Sequence, residues 1–196
     1  MRSQEQDLFT LKNKVIVVTG ATGVLGGSFV EAISKQGATV VLIGQNEVLG
    51  EERAAFIRSQ GGEALFLKAN VLLEAELEAA KNKAVEKYGI IHGLVNGAGG
   101  NLPEGVLSPD QDVFTMNMEG MKKTMDLNVW GTLLPVQVFG PSIAKSGAGS
   151  IVNISSVNAK RTVTRGLGYS MGKAAIDCYT KWFAVEMANR YGDKIR

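Results

Sequence analysis

The sequence predicts an α/β fold, a doubly wound parallel sheet in three α/β/α layers, and three observations carry that reading. Short apolar runs rich in valine and isoleucine alternate with helix-like patterns from Lys14 to Arg190. Glycines gather where several of those runs end. A chain of 196 residues, 45% of them hydrophobic, is long enough to bury the core behind one sheet and shows no sign of a second. Strand and helix in alternation imply parallel strands joined by right-handed crossovers, because a twisted strand feeding a right-handed helix packs back on its sheet in only that sense.

In order, KVIVVTG forms a first strand and is followed by a helix over Gly26 to Lys35. ATVVLIG is the second strand, with a helix around Glu51 to Ser59 after it, and EALFLKAN is the third. A helical stretch from Glu74 to Lys87 leads into GLVNGAGG, a short fourth strand ending in glycines. The next segment, NLPEGVLSPDQDVFTMNMEG, is too polar and too broken by Pro103, Pro109 and glycines to be core. A long helix then runs from Met121 to about Ile143, with Pro135 and Gly140 as kink positions. The strand SIVNISS and a final helix from Tyr169 to Arg190 complete five strands in one domain over residues 1–196.

Composition narrows the partners. The formal charge is +2, and no basic run interleaved with aromatics supplies the footprint of a nucleic-acid surface, so small molecules are the expected partners. The N-terminal MRSQEQDLFTLKNK has no apolar stretch of the signal-peptide kind, and no segment reaches about 18 apolar residues, so neither leader nor membrane span is expected. Cys178 lies in an apolar helical pattern and reads as a small buried hydrophobe in a reducing, cytoplasmic compartment. His92 is the single histidine, which argues against a metal site and against a histidine base.

Two motifs point to chemistry. After the first strand the chain reads TGATGVLGG, with Gly20, Gly23, Gly26 and Gly27 at the start of a helix. Glycines there permit a tight turn and let backbone N–H groups approach a pyrophosphate, which the helix dipole also attracts. A plain strand-to-helix turn would look similar, and the absence of Gly-Lys-Ser or Gly-Lys-Thr excludes a P-loop. Further on, Tyr169 and Lys173 stand four apart at the start of the last helix, so the ammonium and the phenol share one face. A free tyrosine titrates near ~10, and a neighbouring cation favours its phenolate. Such pairs are common on helix surfaces. Ser156, thirteen residues upstream at a strand end, and Asn128 in LNVWG make the combination more informative. Ser155 is an alternative to Ser156, and alternation along a strand lets only one of the two reach a given site.

The spacing TGxxxGxG, the YxxxK pair and the NGAG strand end resemble the short-chain dehydrogenase/reductase family, over Leu11 to Arg196. Thr19, Gly20 and Gly26 match its glycine motif, while Val24 stands where the family has its middle glycine. The resemblance implies a Rossmann-like sheet and an oxidoreductase that moves a hydride between NAD or NADP and a carbonyl or alcohol. It assigns Tyr169 as general acid/base and Lys173 as the residue that lowers its pKa and holds the nicotinamide ribose. Ser156 would hydrogen-bond the reacting oxygen, and Asn128 would hold a water in a proton relay; for Asn128 a helix-distorting polar residue is the alternative. Cofactor contacts would come from Thr19, Gly20, Thr22, Gly23, Val24, Leu25, Gly26, Gln45, Asn46, Asn70, Val71, Asn96, Gly97, Ala98 and Gly99, besides Tyr169 and Lys173. At the second strand end, Gln45 and Asn46 offer neither a carboxylate to repel a 2′-phosphate nor an arginine to hold one, and the balance leans to NADP with NAD close behind.

AGGN after the fourth strand, LLPVQVFG, and the basic loop before Tyr169 are similar to the branch that interconverts fructuronate and mannonate. On that basis Arg161 and Arg165 would meet a substrate carboxylate and Asn101 a sugar hydroxyl, with solvated loop residues as the alternative. The apolar final helix, with Ile176, Tyr179, Trp182, Phe183, Val185 and Met187, reads as covered on more than one side, and the family implies a homodimer or homotetramer. Family members continue past a segment like DKIR into further strands, so the C-terminal strands are expected to be missing here. A weak or inactive dinucleotide-binding module, with the fifth strand's edge exposed, and a 3-oxoacyl reductase-like enzyme remain alternative readings.

Overall fold

A computed structural model describes residues 9–161 and 163–196. Five strands form one parallel sheet: β1 (Val15–Thr19), β2 (Thr39–Gly44), β3 (Glu63–Lys68), β4 (Gly93–Asn96) and β5 (Ser150–Asn153), in the spatial order β3-β2-β1-β4-β5. Val17 pairs with Val41 on one side and with Leu94 on the other. The order reverses between β1 and β4, and a crevice opens at such a switch point outside the carboxyl ends of the strands.

The central strands are apolar throughout because both sheet faces are covered. On one face α1 (Val24–Lys35) and α2 (Glu47–Ser59) bury Val30, Ala54 and Ile57 against Val18, Val40 and Leu42. On the other, α3 (Glu74–Tyr88), α4 (Met118–Lys145) and α5 (Leu167–Tyr191) bury Leu77, Phe139 and Met187 with Val17, Val41 and Leu94. The three expected layers are all present.

Differences from the sequence reading have local causes. Helix α2 starts at Glu47, not Glu51, because the Asn46 side chain accepts the Leu49 N–H at 3.1 Å. Asn117 does the same for Gly120 at 3.0 Å, which moves the start of α4 back to Met118. That helix runs unbroken through Pro135 and Pro141. The strands stop earlier than expected, so Asn70, Gly97–Gly100 and Ser155–Ser156 lie in the loops at the carboxyl edge of the sheet. Ser155 and Ser156 are therefore not alternating strand residues.

One reading of α5 is corrected: Cys178 is exposed rather than buried. Trp182 and Val185 are 60% and 61% exposed in the single chain. Within the chain α5 is covered only on the side that carries Ile176 and Met187, because α4 and the sheet meet just that side. The outer edge of β5 is also not bare along its length. Arg196 and Gly149 exchange backbone bonds with Gly149 and Lys194, and the Ile151 N–H donates to the Arg196 carbonyl at 2.6 Å. Residues 194–196 thus lie parallel to β5, leaving Val152 half exposed.

Candidate active site

At the carboxyl end of β1 the chain must turn back sharply beneath the end of β4. Gly20 adopts φ +65°, and a side-chain carbon there would sit 2.7 Å from the Ala98 nitrogen. Gly26 faces the same turn, where an added Cβ would overlap the Gly20 carbonyl oxygen. Only glycine satisfies either position. Thr19 is buried and ties the two strand ends together, its Oγ1 accepting the Ala98 N–H at 3.3 Å. Thr22 packs against the close of β2 at Gly44. Gly23 caps α1 without a side chain, so the N–H groups of its first turn gain no side-chain acceptor. Val24 and Leu25 at that turn are 87% and 60% exposed.

The remaining expected cofactor residues divide between open and engaged. Gln45 is exposed at the end of β2, beside Asn46, whose amide caps α2. Asn70 Oδ1 accepts the Leu72 N–H at 3.0 Å, the turn-forming alternative for that side chain, and its N–H donates to Glu76 at 2.7 Å. Val71 is buried, against Gly131 of α4. Asn96 is 1% exposed and joins the sheet's last two strands by donating from Nδ2 to Asn153 Oδ1 at 2.9 Å. Asn153 in turn donates to Thr180 Oγ1 of α5 at 2.9 Å. The Asn96 Oδ1 is buried without a hydrogen-bond partner.

Helices α4 and α5 bring the chemical group together. Gly172 lets them approach closely, since a Cβ on it would sit 3.0 Å from Asn128 Cβ. Asn128 is fully buried: its Nδ2 donates to the Gly100 and Thr124 carbonyls, each at 2.8 Å, and its Oδ1 accepts the Gly100 N–H at 3.1 Å. Its amide thus holds the glycine strand end against α4, a role beyond the helix distortion considered above. Lys173 is 4% exposed, and its Nζ donates to the Ile154 carbonyl at 2.7 Å. The same Nζ lies 5.7 Å from the centre of the Tyr169 ring. Gly99 sits between the amide and the ammonium, for a Cβ there would be 2.7 Å from Asn128 Oδ1 and 3.2 Å from Lys173 Nζ. Burial lowers the Lys173 pKa from the usual lysine value, because no low-dielectric site welcomes an ammonium. Ser156 begins a short 3₁₀ turn, with its Oγ accepting the Asn158 N–H at 3.2 Å, whereas Ser155 Oγ is buried without a partner.

An open-sided cavity of about 650 Å³ lies between the 101–117 segment, the loop before α5 and the face of α5 that carries Leu167, Ser170, Met171 and Ala174, a face turned away from Tyr169 and Lys173. Arg161 and Arg165 line the cavity, but Asn101, Ser156 and Tyr169 do not. Arg165 has φ +74° and is held by Leu107: its Nε donates to the Leu107 carbonyl at 2.7 Å while its own carbonyl accepts the Leu107 N–H at 2.9 Å. Its Nη groups make no hydrogen bond to the described residues. Asn101 lies against Gly166, whose added Cβ would be 3.1 Å from its Oδ1. Leu107, Val113, Met116, Val163, Leu167 and Met171 make much of the wall apolar. Sequence reasoning missed this wall, because Leu107, Val113 and Met116 show no period in the polar 101–120 segment and their spacing relative to the 160s loop and α5 is a tertiary matter.

A crevice at the switch point, walled by glycine and backbone and flanked by uncapped helix N–H groups, fits the pyrophosphate and sugars of a dinucleotide. With the tyrosine and lysine beyond it, this is the architecture of a nicotinamide-dependent oxidoreductase. The chain belongs to the short chain dehydrogenase family, which it matches over residues 14–195, and it is an NAD(P)-dependent oxidoreductase of that type. A crystal structure from Haemophilus influenza, assigned as a D-mannonate oxidoreductase with bound NAD, superposes with a TM-score of 0.87 at 34% identity, over 95% of this chain and 69% of that one. NAD+-bound xylitol dehydrogenase superposes at 0.85 with 25% identity, over 94% and 68%. The oxidoreductase UxuB of Bacillus subtilis is 32% identical across 91% of this chain and 67% of its own, and the 7alpha-hydroxysteroid dehydrogenase of Clostridium sardiniense is 33% identical across 92% and 67%. The chain thus spans about two thirds of the length of these relatives. No described helix is long and apolar enough to cross a membrane, and no three His, Cys, Asp or Glu side chains gather as metal ligands among the described residues.

Proposed function

We propose that this protein interconverts a hydroxyl and a carbonyl on a small sugar acid, with mannonate and fructuronate as the first pair to test. The observation that carries the reading is the meeting of Asn128 and Lys173 at Gly99, with the Lys173 ammonium 5.7 Å from the centre of the Tyr169 ring. The nicotinamide supplies the hydride acceptor or donor when bound. Tyr169 exchanges the proton with the substrate oxygen, and Ser156 hydrogen-bonds that oxygen once its Oγ turns from the Asn158 N–H. Lys173 holds the nicotinamide ribose and places positive charge beside the Tyr169 ring. Asn128 orders the Gly99–Gly100 backbone and holds a water between its amide and Lys173. Arg161 and the free Nη groups of Arg165 receive the substrate carboxylate.

The turn around Gly20 to Gly26, with Asn96 to Gly99 opposite, receives the dinucleotide. Neutral Gln45 and Asn46 admit NADP as well as NAD. One domain over residues 1–196 acting in the cytoplasm as a homo-oligomer belongs to the same reading. Trp130, Trp182 and Val185, exposed on α4 and α5, support a subunit contact there, and exposed, unpaired Cys178 suits a reducing compartment. The test is Tyr169→Phe assayed with fructuronate and NADH or NADPH. Turnover should fall by at least a hundredfold with nucleotide binding intact. Retention of most turnover would remove Tyr169 from the mechanism.

A further inference from the structure

Arg53 stands on α2 about two turns beyond the Asn46 cap, far from both motifs in sequence. Its side chain reaches back across the helix layer to the glycine-rich turn. There Nη1 donates to the Ala21 carbonyl and, at 2.7 Å, to the Gly23 carbonyl. The guanidinium lies flat against α1 where Gly27 leaves room: a Cβ on Gly27 would sit 2.9 Å from Cζ and 3.1 Å from both Nη atoms. None of the ion pairs among the described residues includes Arg53, so the cation is committed to backbone oxygens rather than to a carboxylate.

The consequence follows from peptide geometry. In a trans peptide the C=O and the following N–H point in opposite directions, and no peptide here is cis. Drawing the Ala21 and Gly23 carbonyls onto Arg53 turns the N–H groups of Thr22 and Val24 away from it. Those N–H groups belong to the turn and the first residue of α1, where an anionic group is received. Glycine-rich segments have many conformations to lose on binding, and a two-point clamp removes some of them in advance.

We propose that Arg53 is a positioning residue that fixes the shape of the dinucleotide turn, so that nucleotide affinity depends on a side chain that touches no nucleotide. This rests on the dinucleotide reading of the turn. A guanidinium is needed because its planar fork spans two carbonyls while stacking on Gly27; the shorter ammonium of lysine, a point donor, does neither.

The experiment uses Arg53→Met and Arg53→Lys, with titration of NADH and NADPH and with hydrogen exchange over residues 20–27 in the absence of nucleotide. Both nucleotides should weaken by a similar factor of about tenfold or more in Arg53→Met, while the turn amides exchange faster and kcat at saturating nucleotide stays near the native value. Arg53→Lys keeps the charge and packs with less disturbance, so it covers the case in which Arg53→Met does not fold, and it should show the same pattern to a smaller degree. Native affinity in the folded variants overturns the proposal, as does unchanged exchange of the turn. Weakening of NADPH alone also overturns it, for that would mean direct contact with the 2′-phosphate. If the native protein binds neither nucleotide, the dinucleotide reading and the affinity claim fail together, whereas the exchange data still show whether Arg53 orders the turn.

Discussion

Replacing Asn128 by alanine removes three hydrogen bonds in one step: two from Nδ2 at 2.8 Å and one to Oδ1 at 3.1 Å. The Thr124 carbonyl remains the ordinary helical acceptor for residue 128, so its loss is small. The Gly100 N–H and carbonyl have no such fallback, and each bond is worth about 1 kcal/mol, more if a group is left dry. The sum is about 2–3 kcal/mol, a sizeable part of the roughly 5–15 kcal/mol that holds a domain folded. In a domain of this length each kilocalorie lowers Tm by about 2–4 °C, so the expected drop is about 4–12 °C. Function should suffer separately, because Gly99 lies between this amide and the Lys173 ammonium. Thermal unfolding read alongside turnover at saturating nucleotide checks both parts. A Tm within 1 °C of native would refute the strand-end tie, and native kcat would refute the link to chemistry; about tenfold loss of kcat is the expected result.

Gly26→Ala places a methyl onto the Gly20 carbonyl and within 2.8 Å of Ala21 Cα, so the turn must open. Overpacking of this kind costs about 1–3 kcal/mol, and NADH titration should show binding weakened by about a hundredfold; native affinity would mean the turn does not receive the dinucleotide. His92 Nδ1 accepts the Val15 N–H at 3.1 Å at the start of β1, and its pKa is lowered by burial and then by the nearby Lys14. The folded state therefore binds the proton less readily than the unfolded one. Stability should be level above pH 6.5, fall as pH drops below that value, and level off again beneath the lowered folded pKa. Urea midpoints should fall between pH 7.5 and pH 5, a fall that His92→Gln flattens; an unchanged slope in the variant would assign the acid sensitivity elsewhere.

Much of the fold was legible because both of its periods are written locally. Runs such as Val15–Thr19 and Thr39–Gly44 are apolar without alternation, as strands covered on both faces must be. Helix starts were misjudged where the cap mattered more than apolar spacing, as at Asn46 and Asn117. Cys178 was misjudged for a different reason. An apolar helix does not say which of its sides another element will cover, and α4 covers only one side of α5.

By itself the sequence determined the order of elements, the glycines that alone tolerate the turn, and the Tyr169 and Lys173 pair on one helical face. Each of these is a short-range property: a backbone conformation, or a spacing of four residues. Only the tertiary structure decided which polar side chains were free for a ligand. Asn46 and Asn70 are held by neighbouring N–H groups, Asn128 reaches across to Gly100, and Arg53 reaches the turn from another helix. A hydrogen bond needs its partners within about 3 Å, and chain separations of about thirty residues close to that distance only when the helices pack on the sheet.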